Sequence, residues 1–226
     1  MEVLDDPIWT ALSGAQAHLG QRRGDAARYA PEVSPLAALR RPDQRALADL
    51  AELTPPGGFA LVALEAVETP GWQRAGSLTL TQMVCTEAAA LEPPSVSLTA
   101  LARADVPEML ELAERTQPGP FAERTIEFGG YLGVRDAGRL VAMAGERMRP
   151  PGFAEVSGVC TDPVARGRGL AAALVAEVCR RIRARGETPF LHVMADSPTE
   201  ATARGIYERL GFRVRRRIDA VALMRK

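Results

Sequence analysis

The feature that most constrains this chain is a strand-like run, a glycine loop and a long helical stretch in direct succession: Glu155-Val-Ser-Gly-Val-Cys-Thr-Asp-Pro-Val-Ala-Arg-Gly-Arg-Gly-Leu-Ala171. The apolar run ends at Asp162-Pro163. Arg166, Gly167, Arg168 and Gly169 make the loop, and apolar residues at helical spacing begin at Leu170. The first N–H groups of a helix have no intrahelical acceptor, and the helix dipole places roughly half a positive charge beside them. Glycines let an anion approach such a backbone closely. The pattern predicts an anion site and a ligand that carries phosphate. It is not the loop of a nucleotide hydrolase, because no Gly-Lys-(Ser/Thr) ending supplies the phosphate lysine and magnesium hydroxyl.

The sequence around this segment has a regular rhythm. Val96 to Leu101 reads as a strand, and Asp105 as an N-cap for a helix with Val106, Met109, Leu110 and Leu112 on one side. Tyr131 to Arg135 and Arg139 to Met148 read as strands joined by a turn at Asp136-Ala-Gly138. Val156 to Thr161 is the next strand. Leu170, Leu174, Val175, Val178 and Ile182 then define a helix that stops near Gly186. Phe190 to Met194 follows as a strand and Glu200 to Leu210 as a helix closed by Gly211. Phe212 to Arg217 and Ala220 to Met224 read as two closing strands.

Residues 1–95 read differently, as a smaller α+β unit broken by Arg41-Pro42, Thr54-Pro-Pro-Gly-Gly58 and Glu92-Pro-Pro94. Helical segments are expected at Ile8 to Leu19 and Gln44 to Leu53, and strands at Phe59 to Leu64 and Leu78 to Cys85. Tandem prolines end both helices and central strands, so Glu92-Pro-Pro-Ser95 is taken as the boundary between units 1–95 and 96–226. No sequence repeat relates the two parts, although the first has room for a degenerate partner of the second.

Composition excludes several classes. The 226 residues are 46% hydrophobic and 25% charged, with a net charge of zero, which is ordinary globular usage and not that of a nucleic-acid-coating protein. The three cysteines, Cys85, Cys160 and Cys179, are scattered and match neither a disulfide framework nor a zinc site, so a reducing cytoplasm is expected. The acidic Met1-Glu-Val-Leu-Asp-Asp6 is not a signal peptide, and no run approaches the roughly 18 apolar residues of a membrane span.

The second part resembles the GNAT superfamily of acyl-CoA-dependent N-acyltransferases. The resemblance covers about residues 96–226 and rests on Val159-Cys-Thr-Asp-Pro163, Arg166-Gly-Arg-Gly-Leu-Ala171, Phe190-Leu-His-Val-Met194 and Ile206-Tyr-Glu-Arg-Leu-Gly-Phe212. Arg166-x-x-Gly169-x-Ala171 matches the family's pyrophosphate motif, and Tyr-Glu-Arg-Leu-Gly-Phe its last helix ending. With its less defined N-terminal part, the layout also resembles the branch of glycine N-acyltransferase-like proteins.

The resemblance implies a GNAT fold: a mixed, mostly antiparallel sheet, splayed after its central strand and flanked by helices. It implies acetyl-CoA as acyl donor with no metal. Backbone N–H groups of Arg166, Gly167, Arg168, Gly169, Leu170 and Ala171 would hold the pyrophosphate, and the strand ending Val159, Cys160, Thr161 would run beside the pantetheine arm. It implies acyl transfer to a primary amine by direct attack, the amine belonging to a small molecule or a peptide, with no nucleic acid or membrane as partner. Monomer and homodimer are both compatible with it. A non-catalytic acyl-CoA-binding regulatory module is the alternative.

Acyl transfer needs the amine to lose a proton, the oxyanion to be stabilised and the leaving thiolate to gain a proton. Tyr207 stands where the family places its thiolate acid; its other reading is a tyrosine that packs the last helix. Glu155 is the candidate base at the mouth of the ligand strand, with Glu146 on the neighbouring strand as its alternative. For both, the ordinary fate of Glu is a solvated strand end. Cys160 reads as a small apolar filler and not a nucleophile. One departure stands out: Glu200 occupies the place of a frequent family Asn, while Ala203 keeps the pattern and Ser197 or Thr202 is the candidate replacement contact.

Overall fold

The computed structural model describes residues 2–64, 69–87, 96–198 and 200–226. After helix α1 (Pro7–Leu12) come β1 (Gly20–Arg23), β2 (Ala26–Tyr29) and β3 (Leu36–Leu39), joined in antiparallel order. Helix α2 (Gln44–Leu53) crosses to β4 (Phe59–Ala63), parallel to β3, and β5 (Trp72–Cys85) completes the first part. Asp6 and Asp43 cap the two helices, accepting from Trp9 N at 3.1 Å and Ala46 N at 2.8 Å. Strands β1 to β3 were not foreseen. All four residues of β2 and of β3 are buried, and alanine, a poor strand former, makes up half of each, so neither alternation nor propensity marks them.

The second part holds β6 (Thr99–Ala100), α3 (Val106–Thr116), β7 (Leu132–Asp136), β8 (Arg139–Glu146), β9 (Phe153–Thr161), α4 (Leu170–Ala184), β10 (Thr188–Met194), α5 (Glu200–Arg209) and β11 (Phe212–Arg225). The β7–β8 turn has Ala137 and Gly138 at positive φ, as a primed hairpin requires. The two closing strands expected after α5 are one. Arg215 is bulged out of the register with β5, and Asp219 stays in the ladder opposite Thr79, whose hydroxyl it accepts at 2.7 Å. The strand expected over Val96 to Leu101 shortens to β6.

All strands join in one mixed sheet of order β1-β2-β3-β4-β11-β5-β10-β9-β8-β7-β6. The β1-β2-β3-α2-β4-β5 sequence of the first part is repeated in kind by β7-β8-β9-α4-β10-β11, with a helical crossover between the parallel strands of each. Each repeat ends in a 14-residue strand, and these strands are exchanged: β5 pairs with β10, and β11 with β4. This changes the expected division at residue 95. The Glu92-Pro-Pro-Ser95 segment lies outside the described residues, but continuous strand pairing crosses the division where two closed units would have left an interface.

The sheet opens beside β9. It pairs with β10 only from Phe153↔Thr188 to Glu155↔Phe190; beyond that β9 stays with β8 while β10 stays with β5. A register shift against β8 and a positive φ at Gly158 mark a bulge just past the parting point. A Cβ at Gly158 would stand 3.1 Å from the Tyr131 ring. One face of this half carries α4, packing Leu174, Val175, Val178 and Ile182 against Leu132, Ala142, Val156 and Leu191. The other carries α3, packing Met109 and Leu112 against Met143 and Cys160.

Candidate active site

The loop from β9 into α4 is anchored at Asp162. Its buried carboxylate accepts from Val164 N at 3.2 Å and pairs with Arg139 at 2.9 Å and Arg115 at 3.3 Å. Beyond it Gly167 and Gly169 take φ of +78° and +73°, and a Cβ at either would meet nothing within 4 Å. They supply a left-handed backbone facing open space and are not packing glycines. Helix α4 then begins at Leu170 with no side-chain cap and no acidic residue in its first turn, whereas α1 and α2 are closed by aspartates. Its N–H groups and dipole are therefore left to an external anion.

Other residues read from the sequence fall around this opening. Val159 packs on the α4 side, while the Cys160 side chain sits in the α3 cluster, where burial pushes its thiol up to about 11. The Cys160 side chain thus packs on the opposite face of the sheet from α4. The Thr161 hydroxyl is buried and has no hydrogen-bond partner among the described residues, an orphaned polar atom at the foot of the loop. Arg166 donates to the Thr161 carbonyl at 3.4 Å, and the exposed Arg168 pairs with Asp136 at 2.6 Å. The open glycine cradle, the uncapped helix and the unpartnered hydroxyl suit a pyrophosphate with an amide-bearing arm.

Tyr207 stands on α5, packed on Phe212 with ring centroids 5.9 Å apart, at the edge of the cluster that holds α4. Burial, with Cys179 nearby, pushes its phenol up to about 12, so it keeps its proton at neutral pH. Among the described residues its hydroxyl has no hydrogen-bond partner. Glu200, the departure from the motif, turns back to accept from Asp196 N at 2.7 Å, so it closes its own loop. Ser197 donates to Met194 O at 3.1 Å, and Ala203 packs on the core as the motif leads one to expect.

The structure corrects the position expected of Glu155. It lies where β9 and β10 part, but its side chain is fully buried, not at an open mouth. Arg147 grips it with Nε at 2.8 Å and Nη2 at 2.6 Å, and His192 Nδ1 is 2.7 Å away. Burial by itself would raise the carboxyl; the Arg147 charge, its forked hydrogen bonds and His192 outweigh that and hold it at about 2. A carboxylate so stabilised is a poor proton acceptor. Glu146 is buried as well and paired with Arg185 at 2.7 Å. The clamp around Glu155 runs further: His192 Nε2 meets the Gln82 amide at 3.1 Å, and Gln82 Oε1 accepts from Arg215 at 2.8 Å. Gln82 and Arg215 had no signal in the sequence: Gln82 reaches His192 because β5 lies beside β10, and Arg215 reaches Gln82 because β11 pairs with β5, while Arg147 reaches Glu155 across the β8–β9 connection.

The FR47-like protein family model matches residues 131–220, the stretch that contains this opening. A solved structure from Novosphingobium aromaticivorans, described as a "putative acetyltransferase from the GNAT family", is 41% identical over 99% of this chain and 98% of its own, with a TM-score of 0.85. This chain belongs to the GNAT family. Two GCN5-related structures share the fold at low identity: one from Kribbella flavida (19%, 96% and 95% of the two chains, TM-score 0.58) and one from Streptococcus suis (18%, 97% and 92%, TM-score 0.60). No curated protein matches the sequence. GNAT membership carries acyl transfer as the general chemistry and acetyl-CoA as the family's co-substrate. Among the described residues no helix is long and apolar enough to cross a membrane.

Proposed function

We propose that this GNAT protein moves an acetyl or short acyl group from acyl-CoA to a primary amine by direct attack. The observation that carries the reading is the uncapped α4 N-terminus, with Gly167 and Gly169 at positive φ, beside the unpaired edge of β9. In this reading the N–H groups of Gly167 to Ala171 bind the pyrophosphate, and the backbone of Val159 to Thr161 orients the arm. When bound, acyl-CoA supplies an activated thioester carbonyl. Tyr207, protonated at neutral pH and without a hydrogen-bond partner among the described residues, donates its proton to the departing thiolate. Cys160 takes no part, since its buried thiol would have to ionise near 11.

A second reading, an acyl-CoA-binding module without turnover, draws on one observation: both carboxylates that could serve as bases are held in ion pairs. The two readings separate in an assay of CoA release with acetyl-CoA over a panel of amino acids, polyamines, aminoglycosides and peptide N-termini. Release that depends on one class of amine supports transfer. Tight acetyl-CoA binding in calorimetry with no release over the whole panel would overturn it in favour of the second reading.

A further inference from the structure

The fold brings together two cysteines that lie far apart in the chain. Cys85 closes β5 and Cys179 lies on α4; both are buried in the same cluster, close enough that each thiol shifts the other's titration. Arg183, one turn beyond Cys179 on α4, donates Nη2 to Cys85 Sγ at 3.0 Å. The Cys85 thiol in turn donates to the Leu210 carbonyl at 3.3 Å, just past the end of α5, three residues after Tyr207. Tyr207 and Leu210 pack on this cluster. Cys160 is elsewhere, on the α3 side.

We propose that Cys85 and Cys179 are an oxidation site, at which hydrogen peroxide closes a disulfide that ties α4 to the end of β5 beneath the helix of Tyr207. The two sulfurs have unequal roles. Contact with Cys179, aided by the Arg183 charge, holds the Cys85 thiol below its ordinary range against the opposing effect of burial. Cys179 is raised by the same contact and by burial, so it keeps its proton. Cys85 sits at a strand end, where half-buried Arg183 spans from its Sγ toward solvent.

The Cys85 thiolate attacks one peroxide oxygen, and the O–O bond breaks. Sulfur is oxidised to the sulfenic acid, and the leaving hydroxide takes up the thiol's proton to become water. The Cys179 sulfur then attacks the sulfenic sulfur; its proton leaves with the displaced hydroxide as a second water, and the S–S bond forms. Two thiols and one peroxide thus give one disulfide and two waters. Cys85 loses its S–H in the process, so the Leu210 carbonyl loses that donor and α5 loses an anchor close to Tyr207.

The test treats the full chain with hydrogen peroxide, alkylates the remaining thiols under denaturing conditions and maps peptides by mass spectrometry. A mass loss of about 2 Da is expected. Cys160 alone should be alkylated and the Cys85 and Cys179 peptides linked, all reversed by dithiothreitol. Cys85→Ser and Cys179→Ser should each abolish the link while the protein stays folded by circular dichroism. Three alkylated thiols, stepwise over-oxidation of Cys85 with Cys179 still alkylated, or a link involving Cys160 would each overturn the assignment. The readout needs no acceptor amine, so its failure is distinct from failure of the transfer reading.

Discussion

Glu155→Gln separates a structural carboxylate from a catalytic one. The wild-type carboxyl is held at about 2 against an ordinary 4.5. At about 1.4 kcal/mol per pH unit that gap corresponds to about 3 kcal/mol of stabilisation of the ionised form. The neutral amide would leave Arg147 buried without its counter-charge, and breaking one side of such a pair costs about 3–5 kcal/mol. For a protein of this size each kcal/mol lowers Tm by about 2–4 °C, so a loss of roughly 6–20 °C is expected at neutral pH. The pH dependence is the sharper readout. The folded value lies below the unfolded one, so the carboxylate's contribution is fully present above about 4.5 and disappears as pH falls toward 2. In urea unfolding followed by circular dichroism, the gap between wild type and variant should be widest at neutral pH and narrow through that acid window. If Glu155→Gln keeps wild-type stability at pH 7 but loses transfer, the clamp reasoning is wrong and Glu155 returns as a base.

Two further substitutions address the ligand side. Gly169→Asp should weaken acetyl-CoA binding by roughly a hundredfold, since a like charge about 5 Å from a phosphate costs about 3 kcal/mol at an effective dielectric of 20; Gly169→Ala, which shares the backbone strain at φ +73° but adds no charge, should lose less. Equal affinities of the two variants in calorimetry would refute this placement of the pyrophosphate. Tyr207→Phe should lower kcat by about 10²–10⁴-fold with little change in acetyl-CoA affinity, and an unchanged kcat would remove Tyr207 from the mechanism.

Much of the second repeat was legible because its elements carry one-sided patterns. The spacing of Leu170, Leu174, Val178 and Ile182 reports α4 directly, and Gly167 and Gly169 announce the loop by residue type alone. What escaped reading depends on partners distant in the chain. His192, Gln82 and Arg215 meet only because β5 is inserted between β10 and β11. Cys85 and Cys179 were read as scattered for the same reason. The repeat relation was hidden because the first copy has filled its equivalent opening. Leu39, Leu64 and Trp72 pack there with Leu47, and Asp43 occupies the helix end that Gly169 leaves free. Glu155 was misplaced because a strand pattern gives the face of a residue but not what covers that face.

The exchange of β5 and β11 has a consequence for how this protein can be divided. A fragment starting at residue 96 would carry every ligand-facing residue named above, yet it would strip β11 of both neighbours and bare one edge of β10. Bare strand edges seek other chains, so such a fragment should aggregate or recruit a second copy. The first repeat has an aspartate cap where the second has a glycine loop, but it cannot be discarded while the second borrows a strand from it. A two-chain version of this sheet would need each chain to lend the other its last strand.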